Sequence, residues 1–387
     1  MARKRFGIIT ELNLFLALLL VIVIAVYFNI SAFAPTGRQE YASDTGRITM
    51  EVAGTTDATA DNTADPSGNT AETAGTMDIT SGTTVDSSGT TAETAGATAD
   101  ASGTTAATSG KAADDAASLA VAADPAILMT ADGLNSPNAI LVRLKDNTIL
   151  MRKNSEQKIY PASLTKIMTA LVAIEELADL QKEVVLPEAI FPELYKEDAS
   201  MAGFVPGEKV RAIDLLYGEL LPSGAECCTG LAIYISGSEQ KFVELMNKKA
   251  SELGLDDTHF ANSTGLQDEN HYTTVKDLAK LLSYALKNDI FREIYTASRH
   301  STQPTNKHPG GITFYSTMFK NIKNPGIAGG RILGGKTGYT GEAGLCLASL
   351  ARVGDKEYIL VTAGARGDHE TEQYNIKDAY FVYNKLG

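Results

Sequence analysis

The 387-residue sequence predicts an α+β domain, with an antiparallel sheet flanked by helices and a helical insertion, behind a transmembrane segment and a disordered linker. Two observations lead to this fold class. Segments with strand-like apolar residues occur near both ends of the region after Pro125. Between them, apolar residues recur at the three- to four-residue spacing of helices. Strands from both ends of a domain can pair in one sheet, with the helices as an insertion.

Residues 1–34 form a membrane-targeting segment. Three cations at positions 3–5 precede an apolar run over 14–28 that continues more weakly to residue 34. This order places the rest of the chain outside the cytoplasm. Ala-Phe-Ala at 32–34 looks like a signal-peptidase site, but Pro35 disfavours cleavage, and the run approaches the ~20 residues that span a bilayer. We expect a retained anchor on the outer face of the membrane, or a secreted protein if the segment is cleaved.

Residues 35–124 have low complexity and contain mainly Thr, Ala, Gly, Ser and Asp. A nine-residue segment at 67–75 recurs nearly unchanged at 88–96, but neither copy has the apolar residues that a stacked repeat needs. We therefore expect a disordered linker, which cannot bury enough surface to offset chain entropy. Its net charge of −11 is most of the chain's −13, so the acidity belongs to a solvated spacer. Its many Ser and Thr residues leave glycosylation open.

Residues 125–387 have an ordinary globular composition, and their predicted strands lie at the two ends. The first two strands form a hairpin across Asp146-Asn147, and the last two resemble paired core strands. The predicted strands are Asn138–Arg143, Thr148–Arg152, Leu345–Val353 and Tyr358–Ala363.

The predicted helices lie between these strands and at the C-terminus. Pro222 ends one of them, and Thr274 with Asp277 forms a capping box at the start of another. Residues 184–210, with three prolines and short strands, predict irregular covering structure. The predicted helices are one beginning at Pro161, then Ile213–Leu221, Phe242–Leu253, Thr274–Leu286 and Glu370–Lys385.

Ser163 and Lys166 stand three residues apart at the start of the Pro161 helix, and so on the same side of its first turn. A serine hydroxyl needs a base within hydrogen-bond reach to act as a nucleophile, and a lysine serves only if burial leaves its amine neutral. The apolar run Ile167–Ile174 behind the pair predicts this burial. The spacing therefore suggests a nucleophile and its base.

The same spacing occurs at Ser155/Lys158 and at Ser238/Lys241. Charged and amide side chains fill both of those gaps, so we interpret these serines as solvated turn or helix-start residues. A distant Lys-Thr-Gly sequence at 336–338 supports the interpretation of Ser163 and Lys166 as a catalytic pair. A Ser-Gly element lies between this pair and the Lys-Thr-Gly sequence. The three together form the pattern of serine penicillin-recognising enzymes.

With these motifs, the domain resembles the D-alanyl-D-alanine carboxypeptidases, the low-molecular-mass penicillin-binding proteins. Four segments carry the resemblance: 161–170 (Pro-Ala-Ser-Leu-Thr-Lys-Ile-Met-Thr-Ala), 214–224, which ends in Leu-Pro-Ser-Gly, 262–274, and 335–340 (Gly-Lys-Thr-Gly-Tyr-Thr). The resemblance covers the globular part and implies a β-lactamase/transpeptidase-like fold. It implies a carboxypeptidase that removes the terminal D-Ala from peptidoglycan stem peptides, with β-lactams as covalent inhibitors and no cofactor.

The resemblance also implies roles for catalytic residues. Ser163 would attack the penultimate D-Ala carbonyl, Lys166 would be the general base, and Ser223 would relay a proton to the leaving D-Ala. Backbone N–H groups of Ser163 and Tyr339 would form the oxyanion hole.

The same resemblance assigns the substrate-binding residues to one strand. Lys336 and Thr337 would hold the terminal carboxylate. Gly338 would leave room for the peptide beside the strand, and Tyr339 would follow it.

One position departs from the family. Its second motif is usually Ser-x-Asn, but here Ala225 follows Ser223-Gly224, so an amide that orients the substrate is absent. Two alternatives therefore stay open beside the carboxypeptidase: a non-catalytic protein that binds wall peptide or penicillin, and a β-lactamase, for which no deacylating carboxylate is evident.

Other chemistries find little support in the sequence. We expect the three cysteines to be small core residues near the site, since no nearby histidine would activate a thiol. The five histidines lack metal-ligand spacing, and no basic cluster suggests nucleic acid. The residues concerned are Cys227, Cys228, Cys346, His259, His271, His300, His308 and His369.

Overall fold

The computed structural model describes residues 118–122 and 128–387. The membrane-targeting segment predicted at 1–34 and the linker up to residue 117 lie outside the described residues. Within the described ranges, no helix has both the length and the apolar character needed to cross a bilayer.

A seven-stranded sheet is the centre of the domain. The strands are β1 (Ala120–Val121), β2 (Asn138–Arg143), β3 (Thr148–Lys153), β4 (Glu183–Val185), β5 (Lys209–Arg211), β6 (Arg299–Ser301), β7 (Thr313–Tyr315), β8 (Gly326–Ile327), β9 (Gly330–Thr340), β10 (Gly344–Val353) and β11 (Lys356–Ala365). The sheet order is β1-β3-β2-β11-β10-β9-β8, and all neighbours are antiparallel except β1 and β3. The sheet thus combines both ends of the domain, as the sequence predicts.

Most helices lie between β3 and β9 and form the insertion. They are α1 (Lys166–Glu176), α2 (Phe191–Lys196), α3 (Ala212–Leu220), α4 (Ala225–Ser236), α5 (Glu239–Glu252), α6 (Val275–Ala285), α7 (Asp289–Thr296) and α8 (Thr317–Asn321), while α9 (Tyr374–Asn384) follows the sheet. A 3-10 helix, Ala162–Thr165, precedes α1, and a second one, Glu188–Ile190, precedes α2. Two further pairs, β4-β5 and β6-β7, lie within the insertion.

The sheet separates two hydrophobic cores. Along β2, Ile140 and Val142 face the larger core, which includes the buried side of α1, whereas Ala139 and Leu141 face the smaller core, which includes α9. This alternation is the two-residue period of a strand covered on both faces. Each large side chain buried in this way stabilises the fold by about 1.5–3 kcal/mol. The larger core fixes α1, and so the serine at its start, against the sheet.

The predicted hairpin, the last two core strands and four of the predicted helices are confirmed as β2-β3, β10-β11, α1, α3, α5 and α6. Thr274 also caps α6 as expected, since its hydroxyl accepts from the backbone N–H of Asp277. The second half of the predicted capping box is absent, because the Asp277 carboxylate accepts from Asp257 N–H and the Thr258 hydroxyl.

The predicted helix over Glu370–Lys385 was wrong at its start. The Asp368 carboxylate accepts from the backbone N–H groups of Glu370 and Thr371, at 2.9 and 3.0 Å. This turn holds the chain outside helical geometry, so α9 begins only at Tyr374.

Several elements were not predicted, among them the 12-residue helix α4, the helix α8 and the three short elements β1, α2 and α7. The strand β1 lies upstream of Pro125, the predicted domain start, because Leu119 and Ala122 pack on the cores within an otherwise polar linker. The helix α2 lies in the supposedly irregular region, and α7 was overlooked. Each of these three short elements has too few residues for a sequence period to identify it.

Candidate active site

Ser163 lies on a strained turn in front of α1. The preceding Ala162 has φ 47°, in the left-handed region that non-glycine residues rarely adopt. Lys166 begins α1 and is 2 % exposed, and its Nζ lies 3.0 Å from Ser163 Oγ. The same amine donates to the Thr264 carbonyl at 2.6 Å. The structure thus brings the predicted hydroxyl and amine together and removes the amine from bulk water.

Ser223 connects this pair to the second lysine. Its hydroxyl donates to Ser163 Oγ at 3.0 Å and accepts from Lys336 Nζ at 2.8 Å. Ser223 also has φ 72°, a second strained non-glycine residue at the site. Burial, together with the positive charge of Lys166, lowers the pKa of Lys336. The contacts give a continuous path for protons between the two amines.

An open cleft surrounds Ser163 and consists of two adjoining cavities of about 200 and 520 Å³. Both are lined by Ser163, Ser200, Tyr339 and His369. A separate pocket of about 800 Å³ lies at the other end of β10 and β11, around the turn at 354–357, and no serine, threonine or cysteine lines it. The nucleophile therefore belongs to the two-part cleft.

The part of β9 from Lys336 to Thr340 borders this cleft. Among the described strands, β10 pairs with one edge of β9, while β8 reaches only residues 330–331 on the other. A Cβ atom at Gly338 would lie 3.1 Å from Ser163 N. Gly338 thus permits the close approach of β9 to the serine turn, and its role in leaving room for a peptide stays a prediction. The free edge itself is available for a peptide to pair with.

Thr337 lines the cleft, whereas Lys336 is buried below its surface. The Thr337 hydroxyl lines the smaller cavity and shares a hydrogen bond of 2.7 Å with the Thr317 hydroxyl. Lys336 is fully buried, and its amine donates to Ser223 Oγ and, at 2.9 Å, to the Thr337 carbonyl. Thr337 therefore reaches the cleft directly, while Lys336 lies below it; that both hold a substrate carboxylate stays a prediction.

Ala225 occupies the position at which the family's second motif usually has an asparagine. It is 1 % exposed, contributes to the larger cavity, and donates its N–H to the Ser200 carbonyl at 2.8 Å. The adjacent Glu226 accepts from the backbone N–H groups of residues 202–204. The Glu226 carboxylate thus holds the loop that carries Ser200.

The loop at 262–266 positions Lys166 from the other side. The Asn262 side chain accepts from the N–H groups of Thr264 and Gly265, at 3.2 and 2.7 Å. Gly265 has φ +84°, and a Cβ atom there would lie 2.0 Å from the Ala162 carbonyl oxygen. Only glycine fits, so this loop both holds the carbonyl that binds Lys166 and presses on the serine turn.

His271 supports the same turn through a chain of hydrogen bonds. Its Nδ1 accepts from Ala261 N–H at 3.3 Å, which leaves Nε2 to donate to Thr165 Oγ1 at 2.8 Å. That hydroxyl donates to the Ala162 carbonyl at 2.8 Å. Burial lowers the pKa of His271 to about 4, so the ring is neutral at physiological pH. Its role is to hold Ala162 in its strained conformation.

The two other serine–lysine pairs lie outside the cleft. Ser238 caps α5, as expected for a helix-start residue. Ser155 is at a turn but is buried, which corrects the expectation that it is solvated. Lys158 lies over the Tyr272 ring instead of approaching Ser155.

No cysteine lines the two-part cleft within the described residues. The three cysteines are buried and free, and burial raises the pKa of the Cys227, Cys228 and Cys346 thiols. In residues 118–122 and 128–387, no group of three or more His, Cys, Asp or Glu side chains is arranged to bind a metal ion.

Sequence reasoning missed several residues around the cleft. Ser200 comes from the loop after α2 and Thr317 from the unpredicted helix α8. His369, which contacts the Tyr339 ring edge-on at 4.9 Å, comes from the loop before α9. None has a motif of its own. Glu219, fully buried behind the lysines, was also overlooked.

The comparisons with known proteins agree with this geometry. Residues 126–367 match the sequence family described as D-alanyl-D-alanine carboxypeptidase. The D-alanyl-D-alanine carboxypeptidase DacF of Bacillus subtilis is 32 % identical over 252 residues, which cover 64 % of this chain and 62 % of that protein. The D-alanyl-D-alanine carboxypeptidase of Streptomyces sp. K15 is 31 % identical over 246 residues, covering 62 % of this chain and 84 % of the relative.

Solved structures show the same fold. The Streptomyces K15 DD-transpeptidase aligns with a TM-score of 0.59 at 26 % identity, over 67 % of this chain and 100 % of that one. The matched part of this chain spans about three fifths of the length of the Bacillus relative.

Proposed function

Because the chain belongs to the D-alanyl-D-alanine carboxypeptidase family, we propose that it removes the terminal D-alanine from peptidoglycan stem peptides. The observation that supports this most is the position of Ser163 Oγ, 3.0 Å from both Lys166 Nζ and Ser223 Oγ at the base of an open cleft. Nucleophile, base and proton relay are then within reach of one scissile bond.

In the proposed reaction, Ser163 Oγ bonds to the carbonyl carbon of the penultimate D-Ala while its proton passes to the Lys166 amine. The C–N bond breaks as the Ser223 hydroxyl gives its proton to the leaving amine, and Ser223 then receives the proton that Lys166 took up, so that Lys166 can accept a proton again. Water then attacks the ester and gives its proton to Lys166, and Ser163 Oγ leaves with a proton. The N–H groups of Ser163 and Tyr339 would stabilise the oxyanion in both steps.

Substrate binding uses the free edge of β9. A peptide pairing with the segment from Thr337 to Tyr339 would lie in extended conformation beside Ser163. Its terminal carboxylate would accept from the Thr337 hydroxyl, and the buried charge of Lys336 would favour an anion there. A penicillin carries a carboxylate next to a reactive carbonyl, so β-lactams would acylate the same serine.

The Ala225→Asn variant tests whether the missing amide matters. If Thr337 and the β9 edge orient the substrate, restoring one neutral hydrogen bond, worth about 0.5–1.5 kcal/mol, changes kcat/KM on a diacyl-D-Ala-D-Ala peptide only about three- to tenfold. Release of D-alanine by wild type and variant measures this. An inert wild type with turnover restored by Ala225→Asn alone would instead identify a wall-peptide or penicillin binder that has lost its chemistry.

Transfer to an amine is a second candidate reaction, because the similar Streptomyces structure is described as a DD-transpeptidase. The same acyl-enzyme would serve both reactions. Adding glycine to the assay distinguishes them: hydrolysis as the main reaction leaves the product largely as free acid, whereas a transferase would give mainly the glycyl peptide.

We also propose that residues 1–34 anchor the protein on the outer face of the bacterial membrane, on the basis of the cations, apolar run and Pro35 described above. Full-length protein should sediment with membranes, and a fragment starting at Ser118, which keeps β1, should be soluble and fully active. Mature protein beginning at Pro35 would show that the segment is a cleaved signal.

A further inference from the structure

Glu219 is a buried carboxyl group with no role in the reaction described so far. It lies near the end of α3, is 0 % exposed, and neither of its oxygens has a hydrogen-bond partner. The bond from Gly224 N–H to the Gly218 carbonyl, 2.8 Å, closes the loop between α3 and α4. That loop contains both Glu219 and Ser223. A fully buried carboxyl without partners is costly to keep, which suggests a function.

The groups around Glu219 are those of the site. The Cys228 thiol contacts it from α4, and the positive charges of Lys166 on α1 and Lys336 on β9 act on it. Cys227 also lies within range of its charge.

The charged groups of the other two elements packed on α3 have partners elsewhere or are exposed: Arg292 pairs with Glu357, and Asp289 and Lys209 are exposed. From α7, Glu293 accepts from the Tyr217 hydroxyl, and from β5, Arg211 pairs with Asp214. Lys166 and Lys336 are therefore the cations that Glu219 can balance.

Burial raises the pKa of Glu219 to about 8. The positive charges of Lys166 and Lys336 act in the opposite direction and lower this pKa, but they are the weaker cause. At neutral pH the group is therefore mostly a neutral acid. Above that pH it becomes an anion in the same desolvated volume as two amines. An anion there favours the charged form of a neighbouring lysine over its neutral form.

We infer that Glu219 is a positioning residue of the proton network: its buried carboxyl group, which has no hydrogen-bond partner, is the anion that keeps Lys336 protonated. The proposed reaction places a proton on Lys166 and uses the charge of Lys336 to attract the substrate carboxylate, and the positive charge of Lys166 works against a charged Lys336. Glu219 supplies the opposite charge at alkaline pH, where Lys336 would otherwise lose its proton. This role rests on the proposed function.

The test is the pH profile of kcat/KM on a diacyl-D-Ala-D-Ala peptide for wild type and Glu219→Gln. The alkaline limb, which reports the loss of the proton from Lys336, should move about one pH unit lower in the variant, because an opposite charge of this kind shifts a neighbour by about one unit or more. The acid limb should stay in place, because Glu219 is already neutral there. Glu219→Asp, which keeps the charge, should restore the alkaline limb toward the wild-type position.

Glu226→Gln is the matched control. It neutralises another buried carboxyl, seven residues away, whose partners are backbone N–H groups of the 202–204 loop. The acid and alkaline limbs of the pH profile of Glu226→Gln should keep their wild-type positions even if the overall rate of this variant falls. If Glu219→Gln does not fold, Glu219→Leu serves for the same comparison, since it buries no unpartnered polar atom.

Infrared difference spectra provide a readout that needs no activity. Wild type minus Glu219→Gln should show a carboxylic acid band that converts to carboxylate between about pH 7 and 9, as the burial of the group requires. The inference would be overturned if wild type and Glu219→Gln had the alkaline limb of the pH profile at the same pH, or if Glu219 were ionised at pH 6. A protein without turnover but with the expected band would contradict the proposed function alone.

Discussion

Ser163→Ala should abolish covalent labelling by a fluorescent penicillin. The substitution removes the only atom of the turn that can form the ester, and loss of a nucleophile of this kind costs on the order of 10⁶-fold in rate. The backbone of the turn is held by Thr165, Gly265 and β9, so the fold should be unaffected. Labelling measured on gels, beside thermal unfolding, checks both statements.

Ser155→Ala and Ser238→Ala are matched controls, because each serine has a lysine three residues later. Both variants should label like wild type. Labelling that survives in Ser163→Ala but disappears in either control would show that the nucleophile has been misassigned.

Lys166→Met should slow penicillin acylation by about 10²- to 10⁴-fold, the usual contribution of a general base. Methionine keeps most of the buried length of the side chain and removes the amine that lies 3.0 Å from Ser163 Oγ. The loss of its bond to the Thr264 carbonyl adds some destabilisation, so stopped-flow acylation rates should be compared well below the unfolding temperature.

Lys241→Met is the corresponding control, on an exposed lysine behind the helix cap Ser238. It should acylate at the wild-type rate. A Lys166→Met protein that acylates within tenfold of wild type would mean that another group takes the proton from Ser163.

The sequence was sufficient for the central arrangement because its signals are local. Three-residue spacing in front of an apolar helix identified Ser163 with Lys166, and strand-like residues at both ends predicted the sheet. What brought Ser223 and Lys336 into the same site was resemblance to a family, since no local pattern relates residues so far apart. The structure then gave the distances that join them.

The burial of individual side chains and the contacts between distant segments could not be predicted from the sequence. Only the folded chain shows that Lys336 is buried below Thr337. Glu219 falls on the buried side of α3, where the sequence period predicts an apolar residue. Ser200 enters the cleft because Glu226 holds its loop, a contact between segments more than 20 residues apart.

The prediction of the short elements failed for a related reason. A two-residue strand such as β1 and the eight-residue helix α7 contain too few residues to show a period. Both are defined by what they pack against, which only the assembled sheet and cores provide.

The central claim is that this protein hydrolyses D-Ala-D-Ala peptides through Ser163, and release of D-alanine measured beside hydrolysis of a penicillin tests it most directly. We predict steady release of D-alanine from a diacyl-D-Ala-D-Ala peptide, its block by stoichiometric penicillin, and only slow turnover of the penicillin itself. Penicillin binding without any release of D-alanine, or rapid penicillin hydrolysis with no peptide turnover, would contradict the account.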